Sequence, residues 1–305
     1  MRALLFDPEA VGRLRLGEAP DPVPAPTQAL VQVAAISVNF ADVAFLADRY
    51  LPGAVPGFDA AGVVVSAAED GSGPPAGTRV ATFGGSGGWA ALRAVDTGEL
   101  AVVPDGVDLG LAAAVPAAGV TALRAVRRLG SVLGRGVLVT GASGGVGRFA
   151  VQLASRAGGY VIASVGSPER GAGLAELGAD EVVVGLGGVG QPVYGALDNV
   201  GGQTLAEVYA LLAPGGCVLS IGMASLQPTS IDFEQARMRA AGTRIEAFVV
   251  GAGFGADLAF LLGLVAAGDL DPQVGWRGPR EKAGDAAAAL LGRQVRGKAV
   301  LEVSS

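Results

Sequence analysis

Over the first hundred positions apolar residues come in short bursts, the longest being "ALVQVAAISVNF" and "AAGVVVSA", separated by Pro- and Gly-rich clusters such as "EAPDPVPAPTQ" and "EDGSGPPAGT". Runs of this length between turn residues predict strands joined by loops. No internal repeat or long low-complexity tail interrupts them. From about Gly110 the pattern changes. "GLAAAVPAAGVTALRAVRRLG" predicts a small-residue helix, and "GVLVTG" a buried strand after it. Strands "YVIASV", "EVVVG", "GALDNVG" and "CVLSIG" then alternate with helices "GVGRFAVQLASRAG", "GLAELG" and "TLAEVYALLA". That alternation predicts a parallel, doubly wound sheet. Beyond Arg244, a helix over "FLLGLVAAGDLDP", another near Glu281–Arg293 and a strand "KAVLEV" read as a return to the first domain.

Composition narrows the picture. The 305 residues suffice for two domains, and half of them are apolar with only 16% charged. Fifty glycines suit a soluble α/β protein with many tight turns. A net charge of −6 argues against nucleic acid or an anionic membrane as partner and leaves a small molecule. "MRALLFDPEA" breaks too early for a secretory signal, and "LAAAVPAAGVTAL" is too short to span a bilayer and contains Pro116. The single cysteine, Cys217, allows no intrachain disulfide framework and fits a reducing cytoplasm. Histidine is absent altogether, which removes the commonest acid–base group and the commonest metal ligand. Chemistry falls to Tyr, Lys, Asp, Glu, Ser or a bound cofactor.

The stretch "VTGASGGVGRFAVQLA" carries the clearest motif. Val146, Ala150, Leu153, Ala154 and Ala157 recur at helical spacing as the expected buried stripe, with Arg148, Gln152, Ser155 and Arg156 opposite. Ser143, Gly144, Gly145, Val146 and Gly147 then fall in the turn and first helical residues, where unpaired N–H groups and the helix dipole favour a phosphate. Against G-x-G-x-x-G the first position is Ala142, with Gly144 and Gly147 in place and Gly141 preceding. The context of strand, turn and amphipathic helix is that of a dinucleotide site. An acidic residue ending the next strand selects NAD. Here "YVIASVG" ends without one, Ser167 follows, and Arg170 opens the next segment, which suits the 2′-phosphate of NADPH. Two alternatives stay open: Ser167 as an N-cap beside a solvated Arg170, and NADH, through Glu169.

Several segments together resemble the medium-chain dehydrogenase/reductase superfamily, nearest its zinc-free quinone oxidoreductase and enoyl reductase branches. They are "SVNFADVAFLADRYLPGAVPGFDAAGVVV", "PAAGVTAL", "VLVTGASGGVGRFAVQLA", "LDNVGGQTL", "LLAPGGCVLSIG" and "GKAVLEV", in the family's order across nearly the whole chain. The resemblance implies a GroES-like β-rich catalytic domain at 1–107 and 246–305, a Rossmann domain at 108–245, a cleft at their junction and a homodimer. Zinc members carry Gly-His-Glu where this chain has Gly57-Phe58-Asp59, and their cysteine ligand falls near Asn39, so no zinc site is expected. An N-x-x-D segment by the nicotinamide is matched by Asn39 and Asp42, and a proton-donating tyrosine by Tyr50, with Leu51 displacing the family's proline by one place. For Asn39 and Asp42 a structural role competes with a catalytic one, and for Tyr50 simple loop packing does. The same carry-over puts Thr121 by the carboxamide, Asn199 and Gly222 at strand ends near the adenosine and ribose, and Phe248 and Val249 in a segment over the nicotinamide that also forms subunit interfaces.

Three readings follow. The first is an NADPH-dependent reductase of a quinone or an activated C=C bond. The second is a polyketide-type tailoring enoyl reductase or cyclising enzyme with a larger substrate. The third is a protein that binds NADPH without turnover.

Overall fold

The computed structural model describes residues 1–303, arranged in two compact units. Met1–Val120 and Ala252–Ser305 make the first, and Thr121–Gly251 the second.

In the first unit, β1 (Arg2–Phe6) and β2 (Leu14–Glu18) form a hairpin-like pair. A seven-stranded sheet takes five of its strands from here, β3 (Gln28–Val38), β4 (Asp59–Ser66), β5 (Arg79–Phe83), β6 (Leu92–Asp96) and β7 (Leu100–Val102), and the other two from the end of the chain. Two short helices, α1 (Phe40–Ala44) and α2 (Leu46–Arg49), lie between β3 and β4. The helix expected over "GLAAAVPAAGVTALRAVRRLG" is two helices, α3 (Leu109–Ala113) and α4 (Pro116–Arg128). The break falls at Pro116, whose ring has no N–H to continue a helix but suits a first turn.

The second unit is a six-stranded parallel sheet of β8 (Gly136–Thr140), β9 (Tyr160–Val165), β10 (Glu181–Val184), β11 (Val193–Asp198), β12 (Leu212–Ser220) and β13 (Arg244–Ala247). Its order is β10-β9-β8-β11-β12-β13, so the chain reverses direction across the sheet between β8 and β11. That is the doubly wound order whose switch point receives a dinucleotide. Helices α5 (Gly145–Arg156), α6 (Gly202–Ala210) and α7 (Phe233–Arg239) connect the strands. Leu138, Ile162, Ala196, Val208 and Val218 form its core. The terminal segment adds α8 (Gly255–Ala266), β14 (Val274–Pro279), α9 (Ala283–Leu291) and β15 (Lys298–Glu302) to the first unit. There β15 pairs antiparallel with β3.

Two expectations need correction. "GLAELG" forms no helix; a short 3-10 turn at Pro168–Gly171 and further turns carry the crossover from β9 to β10. Six residues that begin with Gly173 (φ 79°) and end with Gly178 (φ 101°) are too few to repay helix nucleation. In consequence α5 has no polar outer face there: Arg148 and Gln152 are buried, while Ala157 is exposed. Arg148 Nη2 donates to the Ala172 carbonyl (2.9 Å), so the turn segment lies over the face expected to be solvated.

No helix among the described residues is long and apolar enough to cross a membrane.

Candidate active site

In the second unit, Gly141 (φ 59°) turns the chain out of β8, and Gly144 in extended conformation starts α5. The left-handed residue the turn needs is therefore Gly141, which explains why alanine is acceptable at 142. Ala142 N–H donates to the Ser164 carbonyl, stitching the turn to β9. Gly147 sits where a Cβ would lie 2.4 Å from the Gly141 carbonyl oxygen and 2.6 Å from Ala142 Cα, so only glycine lets the helix pack on the turn. No side chain caps the N-terminus of α5, leaving its first N–H groups for an anion.

Arg170 Nε donates to Ser143 Oγ (2.9 Å), fixing a guanidinium at the edge of this turn. No carboxylate ends β9. Glu169 is exposed, and a hydrogen bond from the Ser167 hydroxyl holds its carboxyl below the ordinary range. Ser167 is N-cap by position but makes no side-chain cap bond. These residues fit a dinucleotide bearing an extra phosphate.

At the switch point Thr140 Oγ1 donates to Asp198 Oδ1 (2.5 Å), and Gly201 N–H to Asp198 Oδ2 (2.8 Å). Burial raises the Asp198 pKa, opposed by the Thr140 and Gly201 bonds. Asn199 Nδ2 donates to the Thr140 carbonyl (2.9 Å), so this amide ties β11 to β8. Gly222 crosses close to Asn199, where a Cβ would meet its carbonyl oxygen at 2.7 Å. Thr121 is half-buried on α4, Phe248 extends the β12–β13 pairing through Ser220, and Val249 is 83% exposed.

The first unit gathers the other candidates. Asn39 caps α1, and Asp42 accepts from its backbone N–H (2.8 Å) in a capping box. Asn39 Nδ2 donates to Asp42 Oδ2 (2.9 Å) and to Asp59 Oδ2 (2.9 Å), while its Oδ1 accepts from Lys298 Nζ. Both donor hydrogens of the amide are thus committed to carboxylates, and its oxygen to the ammonium. Lys298 also pairs with Asp59 (3.3 Å), whose Oδ1 accepts from Ala117 N–H (2.9 Å). Asp42, Asp59 and Lys298 are all buried.

Sequence reasoning found Asn39 and Asp42 but missed Asp59 and Lys298. The available signal was one of only two lysines opening an otherwise apolar strand. Arg93 was also missed. It is buried against Thr82 and the Ser86 carbonyl, and burial lowers its pKa to about 10.

Burial, then the charge of Asp59, pushes the Asp42 pKa up to about 7. Its Oδ1 has no hydrogen-bond partner among the described residues. A carboxyl that keeps its proton when folded, but would release it unfolded near 3.8, stabilises the fold on the acid side. That contribution is full below 3.8 and is lost as pH rises through about 7. Thermal melts between about pH 5 and about pH 8 are expected to show the decline, and Asp42→Asn to flatten it. A slope surviving in the variant would place the titration elsewhere.

Tyr50 follows α2, packs half-buried against the core of this unit, and donates its hydroxyl to the Gly85 carbonyl (2.7 Å). Burial, then the charge of Asp42, raises its pKa, with Arg49 opposing. Trp89 is fully buried: its ring fills the space beside Gly57 (φ 104°), and Nε1 donates to the Ser37 carbonyl. Among the described residues no three His, Cys, Asp or Glu side chains group as metal ligands.

Two family models match in succession: an alcohol dehydrogenase GroES-like domain over 25–105 and a zinc-binding dehydrogenase domain over 145–265. Erythronolide synthase EryA2 of Saccharopolyspora erythraea is 36% identical over 296 residues, 89% of this chain but 8% of that synthase. Acrylyl-CoA reductase AcuI of Ruegeria pomeroyi is 36% identical over 188 residues, 56% of each chain. The chain thus spans little more than half, or far less, of these relatives' lengths. Among solved structures, the quinone oxidoreductase from Coxiella burnetii matches with TM-score 0.88 at 27% identity, covering 100% of this chain and 99% of that one. Mycobacterial Rv1454c complexed with NADPH matches with TM-score 0.89 at 26% identity, covering 99% and 100%. A β-rich unit built from both chain ends, a doubly wound unit between them and these likenesses have one explanation: the chain belongs to the medium-chain dehydrogenase/reductase superfamily of oxidoreductases, in its quinone oxidoreductase and enoyl reductase branch.

Proposed function

We propose that this protein is an NADPH-dependent, zinc-independent reductase of a quinone or an activated C=C bond. The observation that carries the reading is Arg170 anchored to Ser143 at an uncapped glycine turn, with no acidic residue ending β9. The mycobacterial relative solved with NADPH, the acrylyl-CoA reductase and the quinone oxidoreductase support it.

Ser143 to Gly147 hold the pyrophosphate on the first turn of α5, and Ser167 and Arg170 take the 2′-phosphate. When bound, NADPH supplies a hydride to the acceptor and is left as NADP⁺, while one proton completes the reduced product. Tyr50 supplies that proton: its raised pKa keeps the hydroxyl protonated at neutral pH, held by one bond to Gly85. Asn39 and Asp42 act by positioning, since the Asn39 amide is taken up by Asp42, Asp59 and Lys298, and Asp42 Oδ2 by Asn39. Thr121, Asn199, Gly222, Phe248 and Val249 complete the cofactor-binding set.

The purified protein is expected to consume NADPH in the presence of quinones or enones. Tyr50→Phe is expected to lower kcat about 100-fold with little change in KM. Arg170→Ala is expected to cut the preference for NADPH over NADH by about ten- to a hundred-fold, the worth of one charged hydrogen-bonding partner. NADPH binding without turnover on any acceptor would select the non-catalytic reading.

Similarity to EryA2 over 89% of the chain favours a second reading, a tailoring reductase for polyketide-like thioesters. Turnover restricted to acyl thioesters would select it. A cytoplasmic homodimer is part of the same proposal, the dimer from the resemblance and the compartment from a lone buried thiol. Light scattering tests the dimer.

A further inference from the structure

Arg49 closes α2 and immediately precedes Tyr50, with its side chain exposed. Its guanidinium carbon stands 5.0 Å from the ring centroid of Phe58 and 5.8 Å from that of Phe45. Among the described residues no carboxylate pairs with it, although Asp48 is its neighbour in sequence. Phe58 lies 6.0 Å from Phe83, which stacks on Phe254 at 3.7 Å with the planes 1° apart. Phe254 is fully buried and anchors the row, whereas Phe45, Phe58 and Phe83 are half-buried. Four segments of the chain therefore converge on one partly open aromatic surface with a cation at its edge.

The other two cations of this region are spent. Lys298 is buried on Asp59 and Asn39, and Arg93 on Thr82 and the Ser86 carbonyl. Arg49 is different, because a guanidinium over a ring keeps its in-plane N–H donors. Contact with two rings restrains the planar fork, so less freedom is lost when it grips an anion. Its charge also favours ionisation of Tyr50, the state left once that hydroxyl has given up its proton.

We propose that Arg49 is a specificity-determining residue that binds the anionic group of a planar, conjugated substrate laid against Phe58 and Phe83. The substrate class is a conjugated carbonyl compound carrying a carboxylate or a phosphate. This rests on the reading of Tyr50 as part of a reductase site for conjugated acceptors.

Matched pairs test it. Benzylideneacetone against 4-carboxybenzylideneacetone isolates a carboxylate on the acceptor itself. Crotonyl N-acetylcysteamine thioester against crotonyl-CoA isolates phosphates on a carrier. In at least one pair the anionic member is expected to have a kcat/KM about ten-fold higher at low salt, mostly through KM, with the advantage fading as salt rises. Arg49→Gln is expected to bring that ratio to near one, and Arg49→Lys to restore part of it. A ratio near one for both pairs in the parent protein, or a ratio unchanged in Arg49→Gln, overturns the inference. Calorimetric binding of the two benzylideneacetones separates this outcome from failure of the reductase reading. Absence of turnover with tighter, Arg49-dependent binding of the carboxylate sinks the activity and keeps the anion site.

Discussion

Lys298→Met is expected to destabilise the first unit by about 3–5 kcal/mol, the usual loss when one partner of a buried ion pair is removed. Asp59 is fully buried, and its contacts are the Lys298 ammonium, the Asn39 amide and the Ala117 N–H. Methionine fills much of the same volume but leaves two carboxyl groups bridged only by Asn39. The loss is also expected to depend on pH. Lys298 helps hold the Asp42 pKa down to about 7, and without it Asp42 moves further up. Stability of the variant should therefore go on falling to a higher pH than that of the parent, and the deficit should shrink in acid, where Asp42 is neutral in both. Lys298→Arg keeps a cation and should recover part of the loss. Denaturant melts of the parent and both variants at about pH 5 and about pH 8 measure these differences. A Lys298→Met protein as stable as the parent at the higher pH would show that the pair contributes nothing.

Gly147→Ala is expected to strike the second unit, for a steric reason. The new methyl would lie 2.4 Å from the Gly141 carbonyl oxygen and 2.6 Å from Ala142 Cα, both backbone atoms with no rotamer to yield. Either α5 lifts from the turn or the turn opens, and each displaces the N–H groups proposed to hold the pyrophosphate. Overpacking of this kind costs about 1–3 kcal/mol in stability, and loss of a preorganised anion cradle about 100-fold in NADPH affinity. Gly144→Ala is the control. Gly144 has φ −81°, and its Cβ would meet the Gly141 oxygen at 3.3 Å, a contact that a small shift relieves. Fluorescence titration with NADPH should separate the two variants. Equal affinity in both would show that close packing at 147 does not set the site.

The different fates of individual elements show what a one-dimensional pattern carries. Helix α6 was legible because it buries one repeating face against the parallel sheet, and strands β8 and β9 because each is a nearly continuous apolar run buried on both faces. The crossover "GLAELG" was misread because a helical apolar spacing over six residues is indistinguishable from a turn that buries only Leu174. That error propagated to Arg148 and Gln152, whose burial depends on what covers α5 rather than on α5 itself. Trp89 illustrates the same limit. Its place beside Gly57 rests on a left-handed glycine and a cavity made by residues distant in sequence.

Sequence alone determined that the chain has no histidine to offer a metal or a proton, that a strand runs into a glycine turn and a helix, and that no acidic residue closes the following strand. Those are local or compositional facts, and folding cannot alter them. Tertiary structure decided the rest. It joined Lys298 from the last strand to Asn39 and Asp59 near the start of the chain, so that every polar side-chain atom of Asn39 has a partner. It brought Arg170 onto Ser143, and laid Arg49 over Phe58 and Phe45. The Arg170–Ser143 and Lys298–Asn39 contacts are set by which strands pair and which turns cover them, and no short window along the chain contains both partners.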